Sequence, residues 1–213
     1  MKLSEFVKKY SSEPLIDSST FALLQGNTQG LRCDVQYWRK QGHLIPLKRG
    51  VYVLNEDLRK KPLSMGFISN FLLSPSYVSL EYALGHYDLI PEKVTVYTSV
   101  TAKKTTTYNT PIGIFEYRSV KESIFGGYTR RVESGENYLI AYPEKALLDF
   151  FYFHQDLKGV EGEFESYRFQ NLEILNFKRF NELRLRYNKK TNNIARSFIK
   201  FCKLEKKRYK VLK

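Results

Sequence analysis

The stretch from Gly26 to Leu54 limits the possible folds of this chain more than any other part of the sequence. Three of its apolar residues recur at helical spacing and share one face of a predicted helix: Leu31, Val35 and Trp38. Asn27 or Thr28 can cap the start of this helix, and Gly42 can end it in a left-handed conformation. The stretch therefore predicts an amphipathic helix that buries one face.

Two short apolar segments follow, 43–47 and 51–54, and Lys48-Arg49-Gly50 separates them. This pattern predicts a β-hairpin in which the glycine supplies the unusual backbone angle of the turn. A basic helix followed by a basic-tipped hairpin is typical of a winged helix, in which the helix enters the major groove and the wing places cations against phosphates. The alternative is a small amphipathic helix that packs on a hairpin and carries ordinary solvated charges.

The polar face of the predicted helix and the hairpin tip supply the candidate DNA contacts. They combine amide, hydroxyl and cationic groups that can donate to bases or phosphates. The predicted DNA-binding residues are Thr28, Gln29, Arg32, Gln36, Arg39, Lys40, Lys48 and Arg49.

Two further helices are predicted before this stretch. Residues 3–10 have apolar side chains at helical spacing, and Pro14 breaks that helix. Asp17 or Ser18 can cap a second helix that continues through Leu24. Three helices and a hairpin match a winged helix-turn-helix module, and the short charged segment 55–61 is the best linker candidate. We therefore place the first domain at residues 1–61.

Residues 62–213 are predicted to form a second domain of the α+β class. Helices are expected over 62–73 and 79–88, and the alternation of apolar and polar residues from Val94 to Tyr142 predicts an antiparallel meander of four or five strands. The helix that Pro143 opens is apolar on nearly all sides, so it should be buried at the centre of this domain. Residues 155–165 read as an exposed loop, and two amphipathic helices, 176–187 and 193–204, close the chain.

The charge of the chain favours a polyanionic partner. Its 213 residues carry a formal net charge of +13, and each cation that meets a phosphate releases a condensed counterion. Residues 1–61 carry a net charge of +5 and residues 156–213 one of +9, whereas residues 62–155 carry −1. The second basic region predicts a cationic surface on the closing helices, formed by Lys178, Arg179, Arg184, Arg186, Lys189, Lys190, Arg196 and Lys200.

Segments in both predicted domains resemble AbiEi-type antitoxins. In the first domain the resemblance is carried by Trp38, Gly42, Leu44 and the run Arg49-Gly50-Val51-Tyr52. The second domain adds PSYVSLE at 75–81 with Ala83-Leu84, GIFEY at 113–117 and AYPEKALLD at 141–149. Their order and spacing over residues 20–154 carry the resemblance, and residues 155–213 add little to it.

The resemblance implies an antitoxin of a type IV toxin-antitoxin system. In that family the winged helix binds promoter DNA and represses the antitoxin's own operon, and the second domain counteracts a nucleotidyltransferase-like toxin, functionally and without the tight complex typical of other antitoxins. We accordingly expect residues 62–213 to carry the antitoxin activity. The alternative is a basic RNA- or protein-binding module that uses its winged helix without sequence-specific DNA recognition.

Other functional classes find little support in the sequence. The three histidines and two cysteines are not at metal-ligand spacing, so no metal and no cofactor is predicted. Glu144, Lys145 and Asp149 resemble a nuclease-like cluster, but Pro143 and the aromatic run beside them favour helix capping and core packing, so no enzyme activity is expected. Two lone cysteines and the lack of a signal peptide or membrane span predict a cytoplasmic protein.

Overall fold

The structure is a computed structural model that describes residues 1–23 and 28–211. It confirms an α+β fold. The helices are α1 (Leu3–Tyr10), α2 (Thr28–Lys40), α3 (Met65–Leu72), α4 (Leu80–His86), α5 (Pro143–Phe153), α6 (Glu161–Ser166), α7 (Phe177–Arg184) and α8 (Lys189–Val211). The strands are β1 (Ile16–Asp17), β2 (Leu44–Lys48), β3 (Val51–Leu54), β4 (Ser76–Val78), β5 (Tyr97–Thr101), β6 (Thr106–Thr110), β7 (Gly113–Ser119), β8 (Tyr128–Glu133) and β9 (Glu136–Ala141).

The N-terminal unit packs α1 and α2 on a three-stranded antiparallel sheet with strand order β1-β3-β2. The predicted apolar face of α2 is buried in one core together with Phe6, Tyr10 and Phe21. Gly42 and Gly50 have φ angles of +76° and +79°, as the helix end and the hairpin turn require. The helix and the hairpin are therefore confirmed, whereas the predicted cap Asn27 lies outside the described residues.

The predicted second α-helix is wrong. Residues 16 and 17 pair with β3, and Ser18–Leu23 form a 3₁₀ helix. The side chain of Asp17 accepts a hydrogen bond from the Ser19 N–H at 2.8 Å, and the Thr20 hydroxyl donates to the Asp17 carbonyl at 2.7 Å. Such local bonds from short polar side chains compete with α-helical bonds, which accounts for the tighter helix.

The larger sheet has six strands in the order β6-β7-β5-β4-β9-β8. The predicted antiparallel meander is wrong, because β5 pairs with β7 and β4 with β9 in parallel. Strand β4, which was not predicted, inserts between β5 and β9 and is buried throughout, and β7 lies between β5 and β6. The sheet of the second unit is therefore mixed.

Helix α5 lies at the centre of the second unit, as predicted. Ala146, Leu147 and Phe151 are fully buried, and α4, α7 and α8 all pack against α5. Pro143 occupies its first turn. Phe164 in α6 and Phe198 in α8 extend the same core. The segment 155–165 is not wholly an exposed loop as predicted, because α6 begins at Glu161 and the Glu163 carboxylate accepts the N–H groups of residues 158–160.

The two units share a third apolar cluster. Strand β3 is buried on both faces: Tyr52 and Leu54 pack with α2, whereas Val51 and Val53 pack with the second unit. The second unit contributes Ile68, Leu72, Phe115 and Tyr117 to this contact. The boundary at residue 61 stays a prediction, and the structure shows that a fragment cut there would expose the apolar side chains of this cluster.

Candidate nucleic-acid interface

A groove of about 720 Å³ lies between α2 and the hairpin turn. Its lining includes five of the predicted DNA contacts: Gln29, Arg32, Gln36, Lys40 and Arg49. All five side chains are exposed. The structure therefore brings together, on one open surface, groups that lie up to 20 positions apart in the sequence.

Backbone hydrogen bonds hold the hairpin at both ends. The Ser18 N–H donates to the Gly50 carbonyl at 2.8 Å, which ties the turn to the segment after β1. A Cβ atom on Gly50 would lie 2.7 Å from the Ser18 hydroxyl oxygen, so a larger residue would displace that hydroxyl and would also be strained by the φ of +79°. At the other end, the His43 N–H donates to the Trp38 carbonyl at 2.9 Å and turns the chain from α2 into β2.

The groove is electropositive. Arg32, Lys40 and Arg49 supply three cations, and none of the described residues that line the groove is acidic. Helix α2 contains one acidic residue, Asp34, whose carboxylate pairs with the N-terminal amine of Met1 at 2.9 Å. A polyanion that approaches the groove therefore meets cations without a facing carboxylate.

Tyr37 also lines the groove, and the sequence reasoning missed it. Its side chain is 61% exposed, although tyrosine buries readily. The signal was present in the sequence, because Tyr37 lies outside the face that Leu31, Val35 and Trp38 define. An exposed aromatic ring beside cations can pack against a sugar or a base.

Three predicted contacts do not line this groove. The Lys48 amine donates to the Leu72 carbonyl in α3 at 2.9 Å and lies 5.4 Å from the centre of the Phe71 ring. Burial lowers the pKa of Lys48, and Asp17 partly offsets that effect. Arg39 is exposed on α2 outside the groove. Thr28 begins α2, but its side chain lies outside the described part of the structure.

The predicted cationic surface of α7 and α8 is only partly free. Arg179 pairs with Glu144 and lies over the Tyr142 ring, Arg184 donates to Asn181 and Asn192, and Lys190 donates to the Gln155 carbonyl. The remaining predicted cations are exposed: Lys178, Arg186, Lys189, Arg196 and Lys200. On α8 the spacing of the last three places them along one side of the helix.

The charged residues near the start of α5 form a buried network. The Lys145 amine donates to the Asp149 carboxylate at 2.5 Å and to the Tyr187 hydroxyl, and Tyr187 donates to Asp149 at 2.6 Å. The second Asp149 oxygen accepts from Ser79 at 2.7 Å and from Tyr77 at 3.1 Å. The Lys145 and Asp149 side chains are 1% and 0% exposed, so a substrate does not reach them in this conformation.

Glu144 is buried too, although the sequence suggested only a role at the helix start. One carboxylate oxygen accepts from the Asn176 N–H at 2.5 Å, and the other lies 3.3 Å from the Arg179 guanidinium. The residue therefore joins α5 to the first turn of α7. This contact explains why a carboxylate is stable at a position with no solvent exposure.

Buried tyrosines make the stability of this chain sensitive to alkaline pH. Burial and the nearby Asp149 raise the pKa of both Tyr77 and Tyr187 well above 10.0. A group whose pKa is raised by folding contributes stability below its unfolded pKa, and this contribution is lost as the pH rises further. Burial lowers the pKa of Lys145, so the contribution of this lysine makes stability rise toward pH 10.5. One lysine thus opposes the effect of two tyrosines.

We therefore expect unfolding to become easier above about pH 10. At about pH 11, each of the two tyrosines should cost roughly 1 kcal/mol relative to neutral pH. Thermal unfolding followed by circular dichroism between about pH 8 and about pH 11 measures this loss. Tyr187→Phe should show a weaker pH dependence than the unmodified protein, and an unchanged dependence would contradict the assignment.

Neither metal ligands nor membrane helices stand out in the described residues. No group of three or more His, Cys, Asp or Glu side chains among them could hold a metal ion. Across residues 1–23 and 28–211, no helix is long and apolar enough to cross a membrane. Cys33 is an exposed free thiol, and Cys202 is buried.

Comparison of the sequence with protein-family models and with curated proteins finds no match. Two surfaces of the described part of the molecule carry exposed cations: the groove between α2 and the hairpin, and the surface of α7 and α8.

Proposed function

We propose that this protein is a winged-helix repressor that binds promoter DNA of its own operon and acts as the antitoxin of a type IV toxin-antitoxin system. Residues 1–61 supply the DNA-binding module, and residues 62–213 counteract a nucleotidyltransferase-like toxin. The observation that carries the DNA-binding part is the electropositive groove in which α2 and the hairpin turn present their polar side chains together.

The composition of the groove supports DNA as the partner. An exposed helix can enter the major groove, where Arg32 can donate two hydrogen bonds to guanine, and Gln29 or Gln36 can pair with adenine. Arg49 lies at the hairpin turn, where a cation can contact the phosphate backbone beside the helix. The net charge of +13 adds long-range attraction to the duplex.

The antitoxin part rests on the resemblance to AbiEi-type antitoxins. Two of the segments that carry this resemblance, 75–81 and 141–149, meet in the core of the second unit. The hydroxyls of Tyr77 and Ser79 in one segment donate hydrogen bonds to the Asp149 carboxylate in the other. The segment 113–117 forms most of β7 in the same sheet. The segments that resemble the antitoxins therefore contribute to one core, which supports treating them together as one sequence pattern.

Arg32→Ala tests base reading. If Arg32 contacts a guanine, the variant should bind promoter DNA more weakly by roughly 1 to 3 kcal/mol and bind random duplexes almost normally. Fluorescence anisotropy with both duplexes at one salt concentration measures the difference. Lys8→Ala removes an exposed cation on α1 outside the groove and is the matched control. Equal losses on the two duplexes would contradict base reading and favour the basic RNA- or protein-binding module.

Arg49→Ala tests the phosphate contact. Loss of one phosphate contact should weaken binding to all duplexes alike and reduce the salt dependence of the binding constant by about one. The measurement is the slope of the binding constant against salt concentration on logarithmic axes. Lys48→Ala is the informative comparison, because the Lys48 amine is held by the Leu72 carbonyl. An Arg49→Ala slope identical to that of the unmodified protein would exclude the contact.

The antitoxin part requires a growth assay with the toxin. The gene beside this one should encode a nucleotidyltransferase-like protein that arrests growth when it is expressed alone. Co-expression of the full chain should restore growth, and the Arg32→Ala variant from a constant promoter should do so equally well. Failure of the unmodified chain to restore growth would contradict the antitoxin proposal while leaving the DNA-binding results intact.

A further inference from the structure

A second groove, of about 710 Å³, lies in the second unit between α3 and the strands β4, β8 and β9. It is remote in sequence from the groove on α2, and neither the proposed repressor function nor the proposed antitoxin function makes use of it. Its volume falls in the range of small-molecule sites, about 300 to 1,000 Å³. Aromatic rings form much of its wall: Phe67, Phe71, Phe125, Tyr128 and Tyr138.

Two buried polar groups in this groove have no hydrogen-bond partner among the described residues. They are the side-chain amide nitrogen of Asn70 and the hydroxyl of Ser76. Ser76 is only 3% exposed. A buried polar group without a partner costs free energy, and unpaired groups of this kind are uncommon in folded proteins. The amide nitrogen only donates and requires an acceptor, whereas the hydroxyl can donate or accept.

The orientation of Asn70 is set by the sheet. Its side-chain oxygen accepts a hydrogen bond from the Leu139 N–H at 2.6 Å. Because this N–H can only donate, the amide oxygen and not the amide nitrogen must face it. The amide nitrogen therefore lies opposite that contact, and it has no hydrogen-bond partner among the described residues. Asn70 lines the groove, and the backbone of β9 maintains the orientation of its amide.

One cation completes the groove. Arg130 in β8 is exposed, and it forms no ion pair with an acidic side chain that the structure describes. Among the described residues that line the groove, it is the only charged one. A ligand that satisfies the whole surface has a planar ring for the aromatic wall, acceptor atoms for Asn70 and Ser76, and one anionic group for Arg130.

We propose that this groove binds a nucleoside monophosphate. The base stacks on the aromatic rings, its carbonyl oxygens or ring nitrogens accept from Asn70 and Ser76, and its phosphate pairs with Arg130. A single cation suits one phosphate, whereas a bound strand would require a track of cations along its backbone. Among the described residues, none lines both this groove and the groove on α2.

Isothermal titration calorimetry of the full chain with UMP, CMP, GMP and AMP tests the proposal. We expect at least one of them to bind with a dissociation constant of about 10 to 100 µM. This range follows from the free energy of binding per non-hydrogen atom that is typical of ligands as large as a nucleotide. Ribose 5-phosphate and inorganic phosphate should bind at least about tenfold more weakly, because they lack the stacking base. No binding of any nucleotide at about 1 mM, or equal binding of inorganic phosphate, would overturn the proposal.

Variants locate the site. Ser76→Ala removes a hydroxyl that has no partner in the protein, so it should keep or raise the melting temperature while weakening nucleotide binding about tenfold. Arg130→Gln should weaken binding by a similar factor, whereas the neighbouring Arg131→Gln, which does not line the groove, should bind normally. Arg32→Ala should also bind nucleotide normally. Nucleotide affinity unchanged in both Ser76→Ala and Arg130→Gln would show that the nucleotide binds elsewhere and would overturn the assignment.

Discussion

Replacement of Asp149 by alanine is expected to lower the free energy of unfolding by about 3 to 5 kcal/mol, because it leaves the Lys145 amine buried without its counter-ion. Lys145 is 1% exposed, and its remaining hydrogen-bond partner in the network is the Tyr187 hydroxyl. Urea unfolding followed by circular dichroism measures the loss. Since a domain of ordinary stability has only about 5 to 15 kcal/mol, the variant should be close to unfolding.

Lys145→Met provides the matched comparison, because the two partners are not equivalent. Without Lys145, the Asp149 carboxylate still accepts hydrogen bonds from Ser79, Tyr77 and Tyr187. We therefore expect a smaller loss from Lys145→Met, and a double variant that is more stable than the sum of the single losses predicts. Equal and additive losses would contradict a coupled ion pair.

The pH dependence of the Asp149→Ala variant has a defined sign. Burial already lowers the pKa of Lys145 from 10.5, and removal of the neighbouring carboxylate should lower that pKa further. A lysine whose pKa falls on folding binds fewer protons in the folded state, so stability rises with pH between its folded and unfolded pKa values. The difference in stability between the variant and the unmodified protein should therefore shrink as the pH approaches 10.5. A constant difference would exclude a charged Lys145 as the cause.

Leu147→Ala is expected to cost about 2 to 5 kcal/mol, since its side chain is fully buried in α5 and the change leaves a cavity. Helix α5 contacts α4, α7 and α8, so the surrounding helices have little freedom to close the gap. The loss should appear in the melting temperature and, through a lower population of folded protein, in weaker growth rescue. A melting temperature within experimental error of the unmodified protein would contradict the central position of α5.

Glu144→Gln separates structural from catalytic roles at the same helix. Glutamine keeps an oxygen acceptor for the Asn176 N–H and loses the ion pair with the partly exposed Arg179, so the expected cost is only about 1 kcal/mol. A catalytic carboxylate would behave in the opposite way, with lost function at nearly unchanged stability. A stable Glu144→Gln protein that no longer restores growth would contradict the structural assignment and indicate an active or interaction site at this helix start.

The elements that local spacing encodes were predicted well. Leu31, Val35 and Trp38 define the buried face of α2, and Gly42 and Gly50 have the positive φ angles that the helix end and the turn require. Pro143 at the start of α5 likewise marks a helix that the structure contains. Each of these signals depends on residues within one or two turns of each other, where backbone preferences and side-chain periodicity act directly.

Elements that depend on distant partners were missed. Strand β4 has only three residues, too few for a recognisable period, and it exists because β5 and β9 satisfy its backbone groups on either side. Helix α6 begins within the Gly-containing acidic segment 155–165 that reads as a loop, yet Phe164 inserts into the core beside α8. The parallel pairs follow from the insertion of β4 beside β9 and from the position of β7 between β5 and β6, which periodicity does not reveal.

The same distinction between local and distant contacts applies to the candidate DNA-binding residues. The amphipathic pattern sufficed to place Arg32, Gln36 and Lys40 on an exposed helix face, because helical geometry sets which side chains share a face. The packing of the second unit against the hairpin, in contrast, is what covers the outer face of β3. The same packing brings the Lys48 amine within hydrogen-bond distance of the Leu72 carbonyl, whereas Arg49 lines the groove. The same packing buries Lys145 with Asp149 and leaves Ser76 without a partner. Such contacts join residues that are far apart in the chain, and burial and hydrogen bonding between them arise only once the sheets and helices have assembled.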